Sequence, residues 1–253
     1  MKTFTILGAG WLGYALASEL KNTYKIKVSI KDNKNEEKFM KEGLNPFLLN
    51  EDDLSFLDDL LETNYLYINF PPSKFKDYTN FLNKIYTSEK IKYIEKIIFV
   101  SSTSIYANED AIYKEDSKLS NEKSPKVYDS ELLIKDKTDI ILRCSGLMGY
   151  DRIAGKRSAS KVISDKDIKI NYIHRDDVIS ATKFLIDNNI NGIFNLCSNI
   201  HPTKEEIYLH NAKKFGFKES IFKNEKGLKN RIIDGSKITS KGFEYKYANP
   251  FDY

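Results

Sequence analysis

Short runs of β-branched and aromatic residues alternate along this chain with amphipathic stretches of helical length. FTIL at 4–7 gives way to WLGYALASEL, then to KIKVSI at 25–30, then to a charged segment that stops at Gly43. The alternation continues through PFLL (46–49), YLYINF (65–70), KDYTNFLNKIYTSEK, KIIFV (96–100), DIILR (139–143), DDVISATKFLIDN and GIFNL (192–196). Seven strand candidates separated by helical patterns predict an α/β protein built on a doubly wound parallel sheet. Residues 104–126 and 149–172 follow neither period, and loops of that length in a compact domain tend to carry function.

The charge pattern narrows the partners. Lys and Arg total 40 against 36 Asp and Glu, leaving a net +4, and no long block of one sign interrupts the chain. That is a solvated surface and not a nucleic-acid footprint. Only five residues are Arg (143, 152, 157, 175 and 231), so each is expected to have a defined task. Cys144 and Cys197 each follow an apolar run and are expected to be reduced core thiols. His174, His201 and His210 do not share ligand spacing with cysteines or carboxylates, so no metal site is expected. With no cleavable leader pattern and no apolar run near 20 residues, the expected compartment is the cytoplasm, with no membrane contact.

The first chemistry lies in ILGAGWLGYAL. Gly8, Gly10 and Gly13 stand at G-x-G-x-x-G spacing directly after a strand and at the start of a helix. In that setting the first glycine permits the turn, the second admits a pyrophosphate to the backbone, and the third lets helix and strand approach. Gly8, Gly10, Trp11, Leu12 and Gly13 therefore form the predicted dinucleotide loop. After the second strand, Asp32 stands where a carboxylate would take the ribose hydroxyls of NAD, whereas Lys31 and Lys34 offer partners for the 2′-phosphate of NADP. NAD(P) is the expected cofactor, with a slight tilt to NADP. Asn50 closes the third strand, facing an adenine edge or serving as a plain turn residue. Phe70, Pro71 and Pro72 end the fourth strand and are expected to wall the cofactor cleft, with Ser73 capping the next helix.

Taken in order, ILGAGWLG, INFPPS, FVSSTSIY, LRCSGLMGYDR, NYIHRDDV and GIFNLCSN resemble the extended short-chain dehydrogenase/reductases, the NAD(P)-dependent epimerase/dehydratase family, and within it the YeeZ-like subgroup. The resemblance covers about residues 2–200. It implies an NAD(P)-binding Rossmann core at about 1–148 and 173–196, with a small C-terminal substrate lobe at about 149–172 and 197–253. It implies a small-molecule substrate, sugar-nucleotide-like or another carbonyl compound, and leaves a homodimer open. It also implies that Ser102, four residues before Tyr106, hydrogen-bonds the reacting oxygen, with Ser101 counted among the cofactor-facing residues.

The chain departs from this family at the next helix, SPKVYDSELLIK. A Tyr-x-x-x-Lys pair belongs there, its lysine holding down the tyrosine pKa. Spacing from Ser102 selects Tyr128, but Leu132 stands four residues on. Matching Glu131 to the family's glutamate instead puts Lys123 and Val127 at the two positions. Tyr86 and Lys90 have the right spacing but precede the serine strand, and Lys135 falls on a poorly matched face. Thr103-Ser104 replaces the Asp-Glu dipeptide of the dehydratases. Glu115 and Asp116 are expected to brace a loop, Arg143 likewise, and Arg152 to face a substrate anion. Asp177 is expected to cap the helix after NYIHR, with His174 packed beneath it. The expected protein is a reductase or epimerase with a degraded Tyr-Lys pair; the alternative is a non-catalytic NAD(P)(H)-binding sensor.

Overall fold

A computed structural model describes residues 1–223, 225 and 229–253; positions 224 and 226–228 of the expected lobe lie outside the described residues. Its strands are β1 (Thr3–Leu7), β2 (Lys25–Ile30), β3 (Asn45–Leu48), β4 (Tyr65–Ile68), β5 (Lys96–Ser102), β6 (Ile112–Tyr113), β7 (Ile140–Cys144), β8 (Gly146–Met148), β9 (Val162–Ile163), β10 (Tyr172–His174), β11 (Gly192–Leu196), β12 (Ile221–Phe222) and β13 (Ile232–Ile233). The helices are α1 (Trp11–Leu20), α2 (Glu36–Lys41), α3 (Leu57–Leu61), α4 (Tyr78–Tyr86), α5 (Pro125–Ile134), α6 (Arg175–Asp187), α7 (Lys204–Phe215) and α8 (Ser236–Thr239).

Seven strands form one parallel sheet in the order β11-β7-β5-β4-β1-β2-β3. The chain leaves β1 for β2 and β3 on one side and returns to β4 on the other, and open α/β sheets bind ligands outside the carboxyl ends of the strands at such a reversal. The registers Leu7↔Ile68 and Ile6↔Val28 bring the ends of β4, β1 and β2 to one level. The three remaining sheets, β10-β8, β12-β9 and β13-β6, have two strands each and are parallel. Of their strands, β6 and β9 fall within the stretches 104–126 and 149–172, where no period was legible.

The described chain divides into two compact units. One comprises Met1–Ser101, Ser120–Leu142 and Ile190–Ile193; the other comprises Ser102–Leu119, Arg143–Asn189 and Phe194–Tyr253. The second holds the described residues of the expected lobe and, in addition, 102–119, 143–148, 173–189 and 194–196.

The first unit is held by an apolar cluster that includes Leu7, Leu60, Ile68, Phe81, Ile85, Phe99 and Ile141. A side chain of that size is worth roughly 1.5–3 kcal/mol on full burial. In α1, Leu12, Leu16 and Leu20 recur every four residues and are buried, giving the helix its inward stripe. Helix α4 begins later than the sequence suggests: Pro72–Lys74 form a 3-10 turn, and Asp77, not Ser73, caps α4 by accepting the Asn80 N–H at 3.0 Å. Proline fixes the turn but cannot start a helix whose first free amides lie five residues on.

In the second unit, helix α7 carries a capping box between Thr203 and Glu206 and stops at Gly216, whose φ is +68°. A buried network joins β7, β11 and the 104–119 loop. Arg143 Nη1 donates to Tyr106 Oη at 2.7 Å and to the Glu115 carbonyl at 2.9 Å, Tyr106 Oη donates to Asn195 Oδ1 at 2.8 Å, and the Glu115 carboxylate accepts the Asn195 N–H at 2.8 Å. Burial pushes the Tyr106 phenol up against the pull of Arg143.

Candidate functional site

The glycine corner follows from three different backbone demands. Gly8 has φ +96°, and a Cβ there would stand 2.5 Å from the Asn69 carbonyl oxygen. At Gly13 a Cβ would lie 2.3 Å from the Gly8 oxygen, so helix α1 packs on the loop only because that atom is missing. Gly10 is the opposite case: its φ is −82°, and an added Cβ meets nothing within 4 Å. Its missing side chain keeps a space open. As the N-cap of α1 it provides no side-chain cap, so no residue of that position competes with a ligand at the helix N-terminus.

Ser29, which the sequence did not single out, locks the turn. It is 2% exposed; its Oγ accepts the Gly8 N–H at 2.8 Å and its carbonyl accepts the Ala9 N–H at 3.1 Å. Asn69 continues the ladder by donating its N–H to Leu7 at 2.8 Å.

A cleft of about 610 Å³ opens beside this corner. Of the predicted residues it gathers Gly8, Gly10, Lys31, Asp32, Asn50, Phe70 and Pro71; Trp11, Leu12, Gly13, Pro72 and Ser101 are not in its walls. Leu12 turns into the core at 3% exposure, Trp11 and Gly13 belong with it to the first turn of α1, and Pro72 opens the 3-10 turn. Ile30, Phe39, Leu49 and Phe75 join Phe70 and Pro71 in the apolar part of the wall. Asn50 is a turn residue as well as a cleft residue, its Oδ1 accepting the N–H groups of Asp52 and Asp53 at 2.9 and 3.0 Å. Asp32 caps its own turn by accepting the Lys34 N–H at 3.1 Å. Lys34 is not among the lining residues.

At the end of β5 two adjacent hydroxyls part company. Ser101 donates to Glu131 Oε2 at 2.6 Å, with exposures of 7% and 1%. The expected cofactor-facing serine is thus engaged by a carboxylate from α5. Ser102 is half-buried, and its Oγ accepts the Ser104 N–H at 3.1 Å while capping the 3-10 turn Thr103–Ile105. That bond uses a lone pair of the hydroxyl oxygen and does not use its O–H.

Tyr128 is half-buried on α5, and Leu132, one turn on, is 40% exposed. Lys123 precedes the helix, whose N-cap is Ser124. Tyr86 is buried at the end of α4, its hydroxyl shared with Thr138 at 2.9 Å and its pKa raised by desolvation, while Lys90 sits in a separate 3-10 turn. Neither lies on α5.

The chain superposes on a conserved protein of unknown function from Silicibacter pomeroyi DSS (TM-score 0.80, 16% identity, 99% and 96% of the two chains covered). It superposes equally on a UDP-N-acetylglucosamine 4-epimerase from Methanobrevibacter ruminantium M1 in complex with UDP-N-acetylmuramic acid (0.80, 15%, 99% and 96%). A UDP-glucuronic acid 4-epimerase from Bacillus cereus, solved with a fluorinated UDP-glucuronic acid and NAD, gives 0.79 at 17%, covering 99% and 96%. In sequence, the chain is 30% identical to Protein YeeZ of Escherichia coli K12 over 273 aligned positions, 99% of this chain and 98% of the relative. The chain belongs to the YeeZ family. No family model matches it. The likeness to YeeZ runs through the C-terminal part, where the short motifs had thinned.

In this YeeZ-like protein two expected roles in the second unit are exchanged. His174, not Asp177, caps α6: its Nδ1 accepts the Asp176 N–H at 3.2 Å. Asp177 is fully buried and instead accepts the backbone N–H groups of Lys246 and Tyr247 at 2.7 and 3.0 Å, with desolvation raising its pKa against the pull of those two bonds. Tyr247 in turn lies over the His174 ring at a centroid distance of 3.8 Å, and burial lowers that imidazole from 6.5 to about 4. Arg231 Nη1 donates to the carbonyls of Thr103 and Tyr106 at 3.3 and 3.2 Å, bracing the serine turn. Arg175 lies over the Tyr150 ring at 3.9 Å. Burial lowers Arg152. Cys144 and Cys197 are buried free thiols, each pushed up to about 12 by desolvation. Among the described residues no three His, Cys, Asp or Glu side chains are grouped for a metal, and no helix is long and apolar enough to cross a membrane.

Proposed function

We propose that this protein binds NAD(P) at the glycine corner and acts as a slow reductase or epimerase on a sugar-nucleotide-like or other carbonyl substrate. The observation that carries the reading is the contrast among the glycines: two are required by the fold, and the third leaves an empty space at an uncapped helix N-terminus, which is what a pyrophosphate needs. The Phe-lined cleft at the ends of β1 and β2 suits an adenosine moiety, and the UDP-sugar ligands of the structural neighbours support the substrate class. Bound NAD(P) would supply the hydride acceptor and donor. The tilt to NADP rests on Lys31, which faces the cleft, and on the engagement of Asp32 with its own turn.

Ser102 is the residue assigned to the reacting oxygen, because its capping bond leaves the hydroxyl proton free to be donated. Proton transfer has no tuned partner. A phenol without a neighbouring ammonium is a poor acid near neutrality, and the Glu131–Ser101 bond supports the alignment that puts Val127 at the lysine position; by the other alignment Leu132 is there. Those apolar positions also favour a second reading, a redox-cofactor sensor that retained the cleft and lost the acid.

One experiment separates the two. NADPH and NADH are titrated into the protein by nicotinamide fluorescence, and a panel of UDP-sugars is then assayed on the parent, Ser102→Ala and Tyr128→Phe. The enzyme reading expects slow turnover that Ser102→Ala abolishes and Tyr128→Phe lowers less than about tenfold. Binding without any turnover selects the sensor. A fall of about a thousandfold in Tyr128→Phe, near the usual reach of a tuned general acid, removes the claim of a degraded pair.

A further inference from the structure

The cleft beside the glycine corner carries three carboxylates, Asp32, Glu51 and Asp52, and three ammonium groups, Lys31, Lys74 and Lys76. They are not equally available. Asp32 holds the Lys34 N–H. Glu51 accepts the backbone N–H groups of Lys76 and Asp77 at 2.8 and 2.6 Å, bonds that keep its carboxyl below the usual range, and the charge of Lys76 lies in its field. Among the described residues the ammonium groups of Lys31, Lys74 and Lys76 have neither a hydrogen bond nor an ion pair, but that of Lys76 is the one in the field of Glu51.

Lys74 is also well delivered. It ends the 3-10 turn Pro72–Lys74, its N–H donating to the Pro71 carbonyl at 3.0 Å. The next residues are pinned from two sides: Lys126 Nζ donates to the carbonyls of Phe75 and Lys76 at 2.7 and 3.2 Å, and Glu51 holds the amides of Lys76 and Asp77. A cation on an anchored backbone loses less freedom on meeting an anion than one on a loose loop.

We propose that Lys74 is a specificity-determining residue, which with Lys31 seats the 2′-phosphate of NADP; the inference rests on the dinucleotide reading above. The sequence pointed to Lys34 as the partner of Lys31, but Lys34 does not line the cleft and Lys74, forty residues further on, does. A phosphate monoester carries close to two negative charges near neutral pH, so two unpaired lysines match it where one would not.

The test is calorimetric titration of NADPH, NADH, 2′-phospho-ADP-ribose and ADP-ribose into the parent, Lys74→Ala, Lys74→Arg and Lys34→Ala at low and high salt. Lys74→Ala is expected to weaken the two 2′-phosphorylated ligands roughly two- to fivefold, as for a partly exposed ion pair, and to leave the other two unchanged. High salt should erase most of that difference, Lys74→Arg should preserve the parent's preference, and Lys34→Ala should match the parent. Equal weakening of all four ligands by Lys74→Ala places that lysine on the pyrophosphate and overturns the proposal while dinucleotide binding stands. An effect of Lys34→Ala larger than that of Lys74→Ala overturns it as well. Failure of the parent to bind any of the four overturns the dinucleotide reading and the proposal with it.

Discussion

The corner between β1 and α1 and the buried face of α5 make an instructive pair. At the corner the chemistry is written in backbone: Gly8 needs its φ, Gly13 needs the absence of a Cβ, and Ser29 locks the turn with two bonds. On α5 the buried Glu131 carboxylate accepts the Ser101 hydroxyl, and nothing about the fold requires a lysine at the 40% exposed Leu132 or the half-buried Val127. The turn that Gly8 and Gly13 make cannot be lost without disturbing the fold, whereas the space at Gly10 can be filled with the fold intact. A site built from exposed side chains can change while the helix beneath it stays.

That contrast breaks first at Gly13. Gly13→Ala drives a methyl to 2.3 Å from a carbonyl oxygen that the loop cannot move, so we expect a loss of about 3 kcal/mol or more in urea unfolding. A loss under about 1 kcal/mol would show that the corner is more pliable than its contacts imply.

Next comes Glu131. Glu131→Ala removes the acceptor of the buried Ser101 hydroxyl and leaves a cavity, with an expected cost of roughly 2–3 kcal/mol. Glu131→Gln keeps an acceptor in place and should recover much of that. If both variants cost the same, the charge and not the bond is what α5 contributes.

His174 gives a smaller, pH-dependent effect. Its Nδ1 accepts the Asp176 N–H, which requires the neutral imidazole, and its folded value is depressed from 6.5 to about 4. The neutral form is the one the fold prefers. Its contribution is therefore complete above the ordinary value and is lost as the pH falls from about 6.5 through about 4, a loss on the order of 2 kcal/mol. The Asp176 carboxylate opposes this loss, while Arg175 and Lys246 add to it. Urea midpoints between pH 7 and 4.5 should fall more steeply in the parent than in His174→Gln, and parallel slopes would contradict the assignment.

The smallest effect is expected from placing a lysine at position 132. Leu132→Lys changes an exposed position and should alter stability by less than about 0.5 kcal/mol. It bears on chemistry: a rise in turnover that Tyr128→Phe then cancels would establish Tyr128 as the displaced tyrosine, and no change would favour the alignment through Glu131.

The same division explains what was legible in the sequence. All seven strands of the sheet stood out as short apolar runs, β-branched, aromatic or leucine-rich, because composition and length are local properties of the chain. The glycine loop was legible because its spacing encodes a turn. Roles set by distant partners were not. Asp177 looks like a cap beside its helix, yet its carboxylate is taken by amides 69 and 70 residues away, and the cap passes to His174. Ser101 looks like its neighbour Ser102 until Glu131 arrives from 30 residues on. Lys34 sits near Lys31 in sequence but does not line the cleft, whereas Lys74 and Lys76 from the segment after β4 do. Crossovers and register decide these meetings, and no window of sequence contains both partners.

The central claim, that the corner is built to hold a dinucleotide, is tested most directly by Gly10→Val, with thermal melting and NADPH and NADH calorimetry on the same preparation. Because an added Cβ meets nothing within 4 Å and φ is −82°, the variant should melt within a few degrees of the parent while its affinity for both dinucleotides falls below detection. Unchanged affinity in a folded Gly10→Val protein would contradict the claim.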